Sequence, residues 1–314
     1  MMKGFRFPSL VLLLVALAGA CQAEIYRWVD AQGQTHFGDR PTSTDKAEKL
    51  TIESHNGWQQ LDIKVEFNGF AEATPAELAQ MRETIQQDVN HVYQFYDKVL
   101  YFDFYQTVPV SIRFIEKQAD YIKYLRGFPG ALAVESRGIY LSSQHEIVVF
   151  LRDSLELTFA TIRHETSHAV LHSLAELVPR WLNEGVAEQM ETLSVENGQF
   201  VIGRNAENYS LLLRYQSKAT DVLEFVEQNS EQWGKSLMDG PNQAMAGQLV
   251  FRLFSTSYGR SLITRLLQAY KRGVNKRSYY LLDELYIGGK SAFKLHWNQW
   301  LANKMEQPRV VRLD

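Results

Sequence analysis

Residues 161–171, TIRHETSHAVL, and residues 179–191, PRWLNEGVAEQME, carry the reading that decides this chain. His164 and His168 stand four residues apart, so on a helix they project from one face, one above the other, at a separation that lets two imidazole nitrogens share a metal ion. Glu165, one residue on, is rotated off that face, so its carboxylate reaches a water rather than the metal, the position of a general base. A reactive zinc site takes three protein ligands and keeps one position open. Sixteen residues past His168, in a second helical stretch opened by Pro179, Glu184 supplies the third ligand. Glu188 follows four residues later on the same face, which suits a carboxylate that accepts the free ring N–H of a ligand histidine and fixes its tautomer. The spacing predicts one zinc ion per chain on His164, His168 and Glu184, with Glu165 as the catalytic base.

HETSH followed by PRWLNEGVAE resembles the gluzincin metallopeptidases, especially a bacterial group with a WLNEGxAE helix. The resemblance implies the same assignments position by position: His164 and His168 as ligands, Glu165 as base and acid, Glu184 as third ligand and Glu188 as the histidine-orienting carboxylate. It extends over residues 58–302 and is most specific in 164–188. Members of that group present a tyrosine or histidine to the oxyanion from the downstream helices. No spacing rule selects it here; Tyr209, Tyr215 and Tyr258 are available, each also suited to ordinary packing.

Two other histidines invite a metal reading and do not support it. His172 continues the His164–His168 face, yet a fourth protein ligand would close the shell that a reactive water needs. His145 and Glu146 are followed by IVVF, an apolar run without a second histidine, and read as the start of a strand.

The first residues read as an address. Lys3 and Arg6 precede an apolar run over residues 10–20, and small residues follow at Ala18, Ala20 and Ala23, the layout of a secretory signal peptide over residues 1–23. Eleven apolar residues are too few for a membrane-spanning helix. The single cysteine, Cys21, is discarded if cleavage follows Ala23, or becomes a lipid-anchored N-terminus if cleavage precedes it in LAGAC. Either outcome excludes an intramolecular disulfide. The expected location is the periplasm or the exterior. Removing residues 1–23 takes two basic and no acidic residues, moving the net charge from −3 to −5. With pI near 6.3 there is no basic footprint for nucleic acid.

EIYRWVDAQGQTHFGDRP, residues 24–41, alternates apolar and polar residues about a Gly-containing turn and predicts a small hairpin over 24–42. Its YRWxDxxGxxHFxDxP pattern resembles an uncharacterised N-terminal domain of Gram-negative envelope proteins. Polar residues 43–57 read as a linker.

From Trp58 the main body begins. LDIKVEFNG predicts a strand, and Thr74-Pro75-Ala76-Glu77 has the form of an N-cap, a proline at the first helical position and a capping-box glutamate. The helix it opens carries Leu78, Met81, Ile85, Val89 and Val92 on one stripe. VPVSIRFI, ALAVES, GIYLS and EIVVFL predict further strands, with EIVVF or ALAVE as an edge strand able to pair with an extended peptide. Everything beyond Leu155 reads helical. The expected fold is α+β and zincin-like: a small N-terminal hairpin domain, a mixed sheet over residues 58–155 packed on the HExxH helix, and an all-helical lobe completing residues 156–314.

These readings converge on an exported zinc metallopeptidase in which the metal activates water, Glu165 takes its proton, and the partner is a peptide or protein substrate. Two alternatives stand beside it: a non-catalytic envelope binding module with a structural zinc site, and a hydrolase of cell-wall peptide cross-links. No sequence feature fixes the oligomeric state.

Overall fold

The computed structural model describes residues 25–29, 35–38, 48–50, 60–102, 110–128, 136–215, 221–235, 241–303 and 309–313. The chain divides into two units, Met1–Trp58 and Gln59–Asp314.

In the first unit β1 (Ile25–Val29) pairs antiparallel with β2 (Thr35–Gly38), Trp28 opposite His36, as the alternation predicts. The third strand, β3 (Glu48–Leu50), pairs with the other edge of β1, Tyr26 opposite Lys49. It falls inside the stretch read as a linker. Three residues, two of them charged, carry no alternation, and their pairing uses only backbone N–H and C=O groups. The signal-peptide segment, Cys21 and ALAVE lie outside the described residues. No helix among the described residues is long and apolar enough to cross a membrane.

The second unit is α+β. Its first sheet holds β4 (Lys64–Asn68), β5 (Ser111–Ile115), β6 (Gly138–Leu141) and β7 (Glu146–Phe150), in the order β4-β5-β7-β6. β4, β5 and β7 run parallel, and β6 returns antiparallel against β7, Tyr140 opposite Ile147. Parallel neighbours need long crossovers, here α1 (Pro75–Lys98) between β4 and β5 and α2 (Gln118–Leu125) between β5 and β7. Thr74 caps α1 as expected: its hydroxyl accepts from the Glu77 N–H and the Glu77 carboxylate accepts from the Thr74 N–H. Met81, Ile85, Val89 and Val92 are buried, and Leu78 is half-buried at the edge of their stripe.

EIVVF is therefore not an edge. It is β7, hydrogen-bonded on both sides, with Ile147, Val148 and Val149 fully buried. An unbroken apolar run marks a strand covered on both faces, whereas an edge with one wet face alternates. Among the described residues β4 and β6 form the outer strands.

Beyond β7 come the long buried helix α3 (Leu155–Leu174) and α4 (Arg180–Met190). The chain does not stay helical after them. β8 (Ser194–Glu196), β9 (Gln199–Gly203) and, at the far end, β10 (Val310–Leu313) form a second antiparallel sheet in the order β10-β9-β8. Asn197 and Gly198 both take positive φ, 51° and 81°, as the two-residue turn between β8 and β9 requires. The Asn-Gly pair in SVENGQFVI announces that hairpin, and the helical reading of this region passed over it. Between β9 and β10 lie α5 (Ala206–Tyr215), α6 (Val222–Phe225), α7 (Ser230–Lys235), α8 (Pro241–Phe254), α9 (Ser257–Lys271), α10 (Ser278–Leu285) and α11 (Gly289–Ala302).

Candidate metal centre

Helix α3 is buried almost all round although its middle reads TIRHETSH. Buried polar groups must find partners, so those that find them locally can be set aside. The hydroxyls of Thr158, Thr161 and Thr166 each donate to the carbonyl four residues back, at 3.0, 3.0 and 2.7 Å. Ser167 Oγ shares a 2.6 Å hydrogen bond with the buried phenol of Tyr96 on α1. Arg163 donates to Asp88 at 2.7 Å and Glu156 at 3.0 Å, and to the carbonyls of Met190 and Glu191 at 3.2 and 2.7 Å. That one guanidinium ties α1 and α3 to the C-terminal end of α4, where helix carbonyls lack partners of their own. His164, Glu165 and His168 remain, the three residues of the motif.

Across from them stands α4. Oε2 of Glu184 lies 3.7 Å from Nε2 of His164 and 3.7 Å from Nε2 of His168. The two imidazole rings are 4.8 Å apart, centre to centre. Their donor atoms fall in one cluster able to hold a metal ion. Asn183, the residue before Glu184, fixes one ring: His168 Nδ1 donates to Asn183 Oδ1 at 2.8 Å, so the Nε2 lone pair is left toward Glu184. Burial opposes charge on Glu184, yet the imidazoles of His168 and His164, with Arg180 Nε 3.6 Å from Oε1, hold its pKa down to about 2. His164, by contrast, is raised well above its usual value: against its burial stand Glu184 on one side and Glu191 on the other.

The position of α4 is set by α8. A side chain at Gly185 would meet the Val250 side chain and, at 2.8 Å, the carbonyl oxygen of Ala246; one at Gly247 would meet Asn208 at 2.9 Å and Glu188 at 3.2 Å. The helices approach backbone to backbone through these glycines. Trp181, buried on the same helix, donates its indole N–H to Ser278 at 2.9 Å.

Glu188 is close to His164 but engaged elsewhere. Its Oε1 accepts from Gln243 at 2.6 Å, and its Oε2 accepts from Asn208 and, at 3.4 Å, from Asn205. Burial and the neighbouring Glu191 push its pKa up to about 7. The carboxylate nearest Nδ1 of His164 is that of Glu191, with Oε1 at 3.1 Å and Oε2 accepting from Asn205 at 3.2 Å. Nδ1 itself is buried and lacks an aligned hydrogen bond. Glu191, which closes α4 one turn further on, thus stands nearer to Nδ1 of His164 than the position read for Glu188 would require. The signal was present in the sequence, since Glu184, Glu188 and Glu191 continue one stripe at steps of four and three.

Glu165 is 8% exposed and makes no side-chain hydrogen bond or ion pair among the described residues. Strand β6 passes beside it: a Cβ on Gly138 would stand 3.4 Å from Glu165 Cγ and 2.6 Å from the Thr161 methyl. Of the tyrosines considered for an oxyanion, Tyr258 packs against Tyr286 and His296 and accepts from Arg252, and Arg204 stacks on the Tyr209 ring at 3.9 Å. His172 stays outside the ligand cluster, its ring edge-on to Tyr140 at 5.9 Å. Glu146 accepts from Arg113 at 3.0 Å and Tyr124 at 2.6 Å, a structural clamp at the start of β7.

Residues 12–56 match a family described as a domain of unknown function, DUF4124, which covers the YRWxDxxGxxHFxDxP segment. No curated protein matches the chain.

Proposed function

We propose that the protein is an exported, zinc-dependent metallopeptidase with a zincin-like arrangement of sheet, HExxH helix and third-ligand helix. The observation that carries this reading is the convergence of His164 Nε2 and His168 Nε2 on one oxygen of Glu184, each at 3.7 Å. Donors bound tetrahedrally to zinc at about 2.0–2.1 Å stand about 3.4 Å from each other, so the three groups suit the ion with little movement. Two neutral nitrogens and a carboxylate form the donor set of catalytic rather than structural zinc sites. When bound, zinc supplies Lewis acidity that polarises a carbonyl and acidifies water.

The remaining chemistry falls to residues of the chain. Glu165 receives the proton of the water that attacks the scissile carbonyl and returns it to the leaving nitrogen. Among the described residues no hydrogen bond competes for its carboxylate, which suits that exchange. Asn183 and Glu191 hold the two imidazoles in the orientation that presents Nε2. An extended peptide suits β6, an outer strand of the sheet that runs beside Glu165.

Elemental analysis of wild type, His164→Ala and Glu165→Gln tests the reading. The expected result is about one zinc per chain in wild type and Glu165→Gln, loss of zinc in His164→Ala, and peptide cleavage by wild type alone. Full turnover in Glu165→Gln would remove the mechanism, and a wild type without zinc would remove the site.

A further inference from the structure

Where the C-terminal end of α1, the first half of α9 and β10 meet, an open cavity of about 440 Å³ is lined by Tyr101, Arg260, Ser261, Thr264, Arg265 and Arg312 among others. Arg260 donates Nη1–H to the carbonyl of Phe254 and Arg265 to that of Leu285, both at 3.0 Å. Neither pairs with a carboxylate among the described residues. Arg312 has one acidic partner, the exposed Glu196 at 2.9 Å. Each guanidinium carries five N–H donors, so most of those on Arg260 and Arg265 lack an acceptor among the described residues. Three positive groups around one cavity also repel one another until an anion enters.

The donor geometry distinguishes among anions. A carboxylate is planar, carries one charge and matches a single arginine fork, whereas a phosphate or diphosphate has more oxygens and more charge and engages several guanidinium groups and hydroxyls together. Ser261 and Thr264 supply such hydroxyls on the cavity wall. The volume lies within the range of small-molecule sites, about 300–1,000 Å³, and exceeds what a bare phosphate fills.

Tyr101 supplies the second observation. It is 63% exposed, and its φ of 55° is a backbone conformation that a bulky residue rarely adopts. Gln268 holds it there by donating to the carbonyls of Leu100 and Tyr101, and Lys271 donates to that of Phe102 at 2.7 Å. Strain imposed by the surroundings on an exposed aromatic at a cavity wall marks a segment kept for binding. We propose that this cavity binds a phosphate-bearing small molecule, its phosphate on Arg260, Arg265 and Arg312 and its organic portion against Tyr101.

The test is calorimetric titration of the full chain with inorganic pyrophosphate, alongside co-sedimentation with phosphatidylglycerol vesicles to separate a soluble ligand from a lipid headgroup. Two variants accompany wild type: Arg260→Gln/Arg265→Gln, and Thr264→Glu, which brings a negative charge to the cavity and leaves both arginine–carbonyl bonds intact. Saturable binding of either probe, weakened about tenfold or more in both variants at unchanged melting temperature, is the expected result. Absence of saturable binding to both probes overturns the proposal. So does equal binding by all three proteins, the outcome if pyrophosphate attaches only at the metal centre.

Discussion

Oε1 of Glu191 stands 3.1 Å from Nδ1 of His164, on the side of the ring opposite the Nε2 that faces Glu184. A carboxylate at that distance is the acceptor that, once aligned with the Nδ1 proton, would keep Nε2 available. Exchanging Glu191 for Gln is expected to weaken zinc binding about 10–100-fold, measured by competition with a chromophoric chelator, and Glu191→Asp to recover part of the loss. The Glu188→Gln change should weaken it less, because Gln243, Asn205 and Asn208 already occupy that carboxylate. A larger loss in Glu188→Gln than in Glu191→Gln would return the orienting role to Glu188.

Gly138 lies between the Thr161 methyl and Glu165 Cγ. Replacing it with alanine forces the Thr161 methyl, 2.6 Å from the new Cβ, to move, an overpacking expected to lower unfolding free energy by about 1–3 kcal/mol. Zinc content should stay at the wild-type level while peptide cleavage falls, since the displaced Thr161 lies one helical turn before Glu165 and no candidate ligand is touched. Chemical denaturation, metal analysis and turnover on one preparation check this; wild-type turnover with an unchanged midpoint refutes it.

Arg163 and Asp88 form a 2.7 Å ion pair that is nearly enclosed, 7% and 15% exposed in their side chains. Burial pushes the Asp88 carboxyl above its usual range, and Arg163 works against that rise. Arg163→Met removes the counter-charge and is expected to cost about 3–5 kcal/mol in urea unfolding, with Asp88→Leu/Arg163→Met regaining much of it. Equal stability of the single and double variants would show that the carbonyls of Met190 and Glu191, rather than Asp88, account for the arginine's contribution.

Burial, with Glu165 nearby and against the hydrogen bond to Ser136, pushes the Tyr121 phenol up to about 12; burial raises Tyr93 and Tyr96 as well. For a group whose folded pKa exceeds its unfolded one, the stabilisation is complete below the unfolded value, about 10 for tyrosine, and is lost as pH rises toward the folded value. Stability should therefore fall between pH of about 10 and 12, with part of the tyrosinate absorbance appearing only as helical dichroism disappears. Ionisation of every tyrosine near pH of about 10 with dichroism intact would contradict this.

The candidate metal cluster was legible because spacing along a helix is a local property: HETSH fixes the relation of His164, Glu165 and His168 whatever surrounds them. Glu184 followed from the donor count that zinc needs. Glu191 did not, since choosing between two acids on one helix face depends on which of them Asn205, Asn208 and Gln243 engage, and those residues arrive from α5, its approach and α8. Strand order was equally hidden. The apolar run of β7 contained the evidence for an interior place, but pairing partners are set by crossovers rather than by composition. Asn197-Gly198 is a local signal of the β8–β9 hairpin, whereas β3 carries none.

At Gly185 a Cβ would stand 2.8 Å from the carbonyl oxygen of Ala246, so α4 meets the main chain of α8 directly beside Glu184. The residue next to the candidate third ligand is thereby positioned by backbone, and any side chain at 185 would push Glu184 away from the two histidines.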